Sequence, residues 1–168
     1  ILCSKNMAFI ELIMIMDNID GEKMILIKNG RIIDPHSKRD EVVDIVIRDN
    51  KILKIGKCSL TDEYEKVIDA SGCIVAPGLI DVHVHFRDPG FTHKEDIETG
   101  SKSAAKGGFT TVVCMANTNP IVDNEETLEY IKEKAKTSPI NVLQACAITK
   151  GFKGKELVDM KYLKECGA

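Results

Sequence analysis

With 168 residues the chain is long enough for a domain with a real core. Its 23 basic and 26 acidic residues nearly balance, so no basic block points to nucleic acid and no acidic tail to a solvating role. The cysteines (Cys3, Cys58, Cys73, Cys114, Cys146 and Cys166) are scattered without a C-x-x-C pair, which argues against a zinc ribbon and fits a reducing cytoplasm better than a disulfide framework.

Residues 1–23 stand apart. The run Ala8-Phe9-Ile10-Glu11-Leu12-Ile13-Met14-Ile15-Met16 is apolar but holds a Glu, and it is too short to span a bilayer. No basic segment followed by a small-x-small cleavage site marks a signal peptide. The segment reads as an upstream extension, with the natural start expected at Met24.

Residues 24–76 read as a small β-rich domain. Ile25-Leu26-Ile27-Lys28 runs into Asn29-Gly30, a strong hairpin signal, and then into Arg31-Ile32-Ile33-Asp34. Val42 to Arg48 is a second apolar run, turned by Asp49-Asn50, and Lys51 to Ile55 alternates charged and apolar residues. Val67-Ile68-Asp69-Ala70 then leads to Ser71-Gly72. The pattern predicts a half-exposed antiparallel β unit.

From residue 77 to 168 the rhythm changes. Apolar strands are expected at Ile74–Phe86, Phe109–Met115 and Ile140–Ile148, with helices between and after them. Lys94 to Lys106 stops at Gly107-Gly108; Asn124 to Lys136 follows Asp123 as a cap; Glu156 to Cys166 repeats the pattern. Strand–helix alternation about every thirty residues means parallel βαβ units. No G-x-G-x-x-G or P-loop supports an open nucleotide-binding sheet, so a (β/α)₈ barrel is expected. Only the first three units of one fit, since a complete barrel takes about 250 residues. The chain therefore reads as truncated, with an incomplete barrel.

The candidate chemistry lies in Asp81-Val82-His83-Val84-His85-Phe86-Arg87-Asp88-Pro89-Gly90. Side chains alternate along a strand, so His83 and His85 are expected side by side on one face, a usual start for a metal site. Arg87 continues the row, and its planar guanidinium suits bidentate capture of a carboxylate. The plainer alternative pairs Arg87 with Asp88. Asp81, two residues before His83, either orients an imidazole or sits below the site as a structural acid. Asn117, after the second strand, is a ligand contact or a turn residue before Asn119-Pro120. His36 and His93 read as surface residues, and Lys94-Glu95-Asp96 as the opening of a helix.

These residues, with Lys94-Glu95-Asp96-Ile97-Glu98-Thr99-Gly100-Ser101, Gly107-Gly108-Phe109-Thr110-Thr111 and Met115-Ala116-Asn117-Thr118-Asn119-Pro120, closely resemble the dihydroorotases and more widely the cyclic amidohydrolases. The likeness begins near Met24. It implies a β-sandwich built from both chain ends and a (β/α)₈ barrel. It also implies a centre of two zinc ions held in part by His83 and His85, with substrate contacts from His85, Arg87 and Asn117. The remaining ligands and a general-base Asp are expected beyond Ala168, so the fragment alone is expected to be inactive. The implied reaction is reversible hydrolysis of L-dihydroorotate to N-carbamoyl-L-aspartate in pyrimidine biosynthesis, in the cytoplasm. The implied assembly is a homodimer or an association with aspartate transcarbamoylase, with no nucleic acid or membrane partner. Three rivals stay open: a sister enzyme such as allantoinase or dihydropyrimidinase, a non-catalytic partner of aspartate transcarbamoylase, and a β-rich binding module with a vestigial tail. Arg87 favours the first assignment, because dihydroorotate carries a carboxylate and hydantoins and dihydropyrimidines generally do not.

Overall fold

The structure is a computed structural model, and it describes residues 2–3, 24–49, 51–59 and 63–168. The upstream extension expected over residues 1–23 lies outside the described residues apart from Leu2 and Cys3. The chain forms two compact units, Ile1–Pro77 and Gly78–Ala168. Among the described residues, no helix is long and apolar enough to cross a membrane.

The first unit is one sheet of strands β1 (Leu2–Cys3), β2 (Met24–Asp34), β3 (Arg39–Arg48), β4 (Lys51–Gly56), β5 (Lys66–Asp69) and β6 (Cys73–Val75). The order is β1-β6-β2-β3-β4, with β5 also pairing β2. β2 is long enough to take two neighbours on one edge: Ile25 to Lys28 pair with β5, and Arg31 and Ile32 pair with β6, all in parallel. The sheet is thus mixed rather than antiparallel throughout, because β5 and β6 return alongside β2 in its own direction. Its core is aliphatic, with Ile25, Ile27, Ile32, Ile45, Ile47 and Val75 buried.

The hairpin expected at Asn29-Gly30 does not form there. β2 runs straight through, and the register with β3 shifts between Ile27 and Gly30. Asn29 is left-handed at φ 59°, a conformation that Asn tolerates in a bulge as well as in a turn. Its N–H donates to Asp44 Oδ1 at 3.0 Å and its side-chain amide to Asp69 Oδ1 at 3.2 Å. Gly30 is needed because a Cβ would lie 2.6 Å from Val75 Cγ2. The actual turn between β2 and β3 follows Asp34, whose carboxylate accepts from the His36 and Ser37 N–H groups at 3.0 and 3.3 Å.

The second unit is a parallel sheet of β7 (Leu79–Val84), β8 (Phe109–Cys114) and β9 (Asn141–Gln144), in that order. The run expected as one strand over Ile74–Phe86 is two strands in separate sheets, since Ala76-Pro77-Gly78 interrupts the ladder. Helix α1 (Ile97–Lys106) links β7 to β8, α2 (Glu125–Ala135) links β8 to β9, and α3 (Met160–Glu165) follows β9. Each begins on a side-chain cap. Asp96 accepts from the Thr99 N–H at 2.8 Å, Asn124 from Thr127 at 2.9 Å, and Asp159 from Tyr162 at 2.9 Å. The cap of α2 is thus Asn124, not the expected Asp123. The third helix is shorter than expected because Leu157 bridges back to Thr149. Ile97 and Ala105 of α1 and Leu128 and Ile131 of α2 are buried with Val112 and Cys114 of β8. Among the described residues, β7 and β9 each pair on one side only.

Candidate functional site

The candidate residues gather at the C-terminal ends of β7 and β8. In the β7–β8 ladder Asp81 faces Val112 and Val84 faces Cys114, so β7 carries one more residue than its partner over that step. This bulge breaks the strict alternation that would align Asp81, His83 and His85, and β7 ends before His85. The imidazoles nevertheless meet edge to face, with ring centroids 5.2 Å apart and planes at 72°. Asp81 Oδ1 accepts from the main-chain N–H of His83 at 3.0 Å, so its described contact shapes the strand end rather than an imidazole. His83 is exposed and His85 is half-buried.

Asn117 reaches the same place from the loop after β8. His85 Nδ1 donates to Asn117 Oδ1 at 2.8 Å. An amide oxygen can only accept, so a proton sits on Nδ1, and in the neutral ring this leaves the lone pair on Nε2, the form of imidazole that binds a metal. Two adjacent imidazoles, one with its tautomer set, are suitable donors for zinc. Among the described residues no group of three or more His, Cys, Asp or Glu converges to hold a metal ion.

Arg87 does not continue a strand row. The strand has ended, and Arg87 sits in a turn at φ 62°, where its carbonyl accepts from the Phe91 N–H at 2.9 Å. The expected alternative partner is engaged elsewhere: Asp88, 3% exposed, accepts from Tyr130 Oη at 3.0 Å and from Lys134 Nζ at 2.9 Å. Among the described residues Arg87 has no ion pair of its own. The loop is also tied to its neighbour after β8, since Asn119 N–H donates to the Pro89 carbonyl at 3.0 Å. Gly90, at φ 93°, lies so close that a Cβ there would be 2.0 Å from the Asn119 carbonyl oxygen.

Around this loop the electrostatics are uneven. Hydrogen bonds with Tyr130 and Asp88 hold Lys134 in its charged form above the usual lysine range. The Thr99 main-chain and hydroxyl groups keep the Asp96 carboxyl below the usual carboxylate range. Burial pushes the Cys114 thiol, at the end of β8, up to about 12. A hollow of about 360 Å³ beside His85 is lined by Asp81, Phe86, Glu95 and α1 residues including Gly100. Sequence reasoning missed Tyr130, Lys134 and the contact of Gly100 with Phe86. The i,i+4 spacing of Tyr130 and Lys134 on one helix was the available signal.

Residues 72–168 match the family described as Dihydro-orotase-like. The dihydroorotase of Clostridioides difficile is 74% identical over 144 residues, which are 86% of this chain and 34% of that protein. That of Clostridium acetobutylicum is 60% identical over 145 residues, with the same shares covered. The chain spans about a third of the length of these curated relatives. Among solved structures, an L-hydantoinase (dihydropyrimidinase) from Arthrobacter aurescens superposes with a TM-score of 0.69 at 27% identity, covering 77% of this chain and 28% of that one. A D-hydantoinase (dihydropyrimidinase) from a Thermus species does so at 0.64 and 35%, covering 84% and 30%. By the match over residues 72–168, the chain belongs to the dihydroorotase-like family of amidohydrolase enzymes.

Proposed function

We propose that this chain forms the first part of a metal-dependent dihydroorotase, which opens and closes the ring of L-dihydroorotate reversibly with N-carbamoyl-L-aspartate. The observation that carries the reading is the juxtaposition of the His83 and His85 rings, with Asn117 bonded to His85 and Arg87, without an ion pair among the described residues, in the adjoining turn. In this reading residues 24–76 belong to a β-sandwich and residues 77–168 to the first three units of a (β/α)₈ barrel. The likeness to hydantoinases supports that architecture.

His83 and His85 would hold zinc, His85 through Nε2. Zinc bound there supplies Lewis-acid polarisation of the ring amide carbonyl. Asn117 holds the His85 tautomer and offers its amide N–H groups to the substrate. Arg87 takes the substrate carboxylate in its two-pronged fork, a contact that a neutral hydantoin or dihydrouracil cannot make. We assign a second zinc ion, the remaining ligands and the proton-shuttling Asp to the part of the relatives that this chain does not match. On this basis the 168-residue chain alone is inactive, and the complete enzyme works in the cytoplasm, as a homodimer or with aspartate transcarbamoylase.

The hydantoinase neighbours favour one second reading, a ring-opening enzyme for uncharged cyclic amides. A chimera separates the two. The matched stretch of 144 residues replaces its counterpart in the Clostridioides difficile dihydroorotase, and turnover of L-dihydroorotate, hydantoin and dihydrouracil is compared. Dihydroorotate turnover that is lost in His83→Ala is the expected result. Preference for the uncharged rings, or no dihydroorotate turnover from a folded chimera, overturns the proposal.

A further inference from the structure

The feature left unused by that reading is the carboxylate beside Arg87. Asp88 is 3% exposed, and burial of a carboxylate is tolerated only with good partners. Both partners come from one face of α2, one turn apart: Tyr130 Oη at 3.0 Å and Lys134 Nζ at 2.9 Å. Lys134 Nζ also lies 5.0 Å from the centre of the Tyr130 ring, which aligns the two donors. The other side of the turn is held by the loop after β8 through Asn119 and Pro89. Between these two attachments Arg87 keeps φ at 62°, which a residue with a Cβ retains only where its surroundings over-determine it.

We infer that Asp88, Tyr130 and Lys134 form a positioning cluster that holds the Arg87 turn in its left-handed form and keeps Asp88 from neutralising Arg87. The inference rests on the proposed role of Arg87 as the carboxylate contact and explains how that role is possible. An arginine followed directly by an aspartate is otherwise inclined to pair with it. By occupying both Asp88 oxygens, α2 leaves the guanidinium available for a carboxylate ligand. The cluster therefore acts on acidic ligands specifically, whereas a merely structural tie would affect all ligands alike.

The test uses the 168-residue chain labelled with ¹⁵N and ¹³C, with L-dihydroorotate and dihydrouracil as probes. Lys134→Met is expected to move the Arg87 side-chain Nε–H resonance and to shift the Arg87 Cα and Cβ signals from their left-handed values. It is also expected to weaken L-dihydroorotate binding about tenfold while leaving dihydrouracil unchanged. Lys134→Arg is expected to restore the pattern. Tyr130→Phe, which removes one hydroxyl, gives the same changes more weakly and replaces Lys134→Met as the deciding variant if the latter unfolds. Unchanged Arg87 signals in a folded variant, judged by intact Leu128 and Ile131 methyl signals, overturn the inference, as does equal weakening of both probes. If the unsubstituted chain gives no dihydroorotate-induced shift, the Arg87 signals of the variants alone decide whether the cluster holds the turn, and the substrate reading is decided by turnover in the chimera.

Discussion

Gly100→Ala sets two opposing effects against each other at the base of the site. Gly100 lies within α1, where replacing Gly by Ala in a free helix stabilises by about 1 kcal/mol. Against this, a Cβ at position 100 would stand 2.5, 2.7 and 2.9 Å from three atoms of the Phe86 ring. Phe86 is 8% exposed, so the ring has no solvent to swing into, and overpacking of this kind costs roughly 1–3 kcal/mol. The expected net effect is a destabilisation of about 1 kcal/mol, the middle of the packing cost less the propensity gain. Because Phe86 sits between His85 and Arg87, the displaced ring also disturbs both. Urea unfolding followed by the Leu128 and Ile131 methyl signals reads this unit, since α2 lies within Gly78–Ala168. Phe86→Leu makes room, so the double variant is expected to recover about 1 kcal/mol relative to additivity. A gain in stability for Gly100→Ala alone, or strict additivity in the double variant, would refute the steric account.

Other expected outcomes concern the site and its alkaline limit. Asn117→Ala removes the acceptor at His85 Nδ1, so ¹⁵N spectra are expected to show a mixture of His85 tautomers in place of one; an unchanged spectrum would place control of the tautomer elsewhere. In the chimera, Arg87→Lys is expected to lower kcat/KM for L-dihydroorotate about tenfold or more, because a point charge cannot replace the fork. An unchanged value would remove Arg87 from the substrate site. The 168-residue chain is expected to bind zinc weakly through His83 and His85, and tight stoichiometric binding by calorimetry would contradict a two-imidazole site. Cys114 should make stability fall with alkali. Its thiol is raised from 9.0 to about 12 by burial, so the unfolded chain loses its proton first and stability drops as pH rises above 9. Between pH 9 and 11 the loss is roughly 2–3 kcal/mol, and Cys114→Ala is expected to flatten that part of the profile. Persistence of the full slope in Cys114→Ala would assign it to other groups.

Local chemistry made much of this legible beforehand. The helices expected from Lys94, Asn124 and Glu156 begin within a few residues of those points, although the short polar side chains that cap them are Asp96, Asn124 and Asp159 rather than the expected Asp123. The His-x-His spacing brought two rings together despite the bulge, and the turn residues after β7 and β8 placed Arg87 and Asn117 near the strand ends. What failed did so where distant groups overrode a local preference. Asn29-Gly30 has the conformational freedom of a hairpin turn, but Asp44 and Asp69, 15 and 40 residues away, capture Asn29 and make it a bulge. The parallel return of β5 and β6 depends on how the chain passes around β2, which no local pattern encodes.

The residue types and their spacing were enough to name the family and to single out candidate donors, because imidazole, guanidinium and amide groups carry their chemistry with them. Only the tertiary structure decided how those donors are held. The bulge in β7, the engagement of Asp88 by Tyr130 and Lys134 more than 40 positions further on, and the fit of Gly100 against Phe86 all depend on distance in space. Burial made those contacts selective. A carboxylate removed from water must find partners, and the nearest suitable ones were on α2 rather than on the neighbouring Arg87.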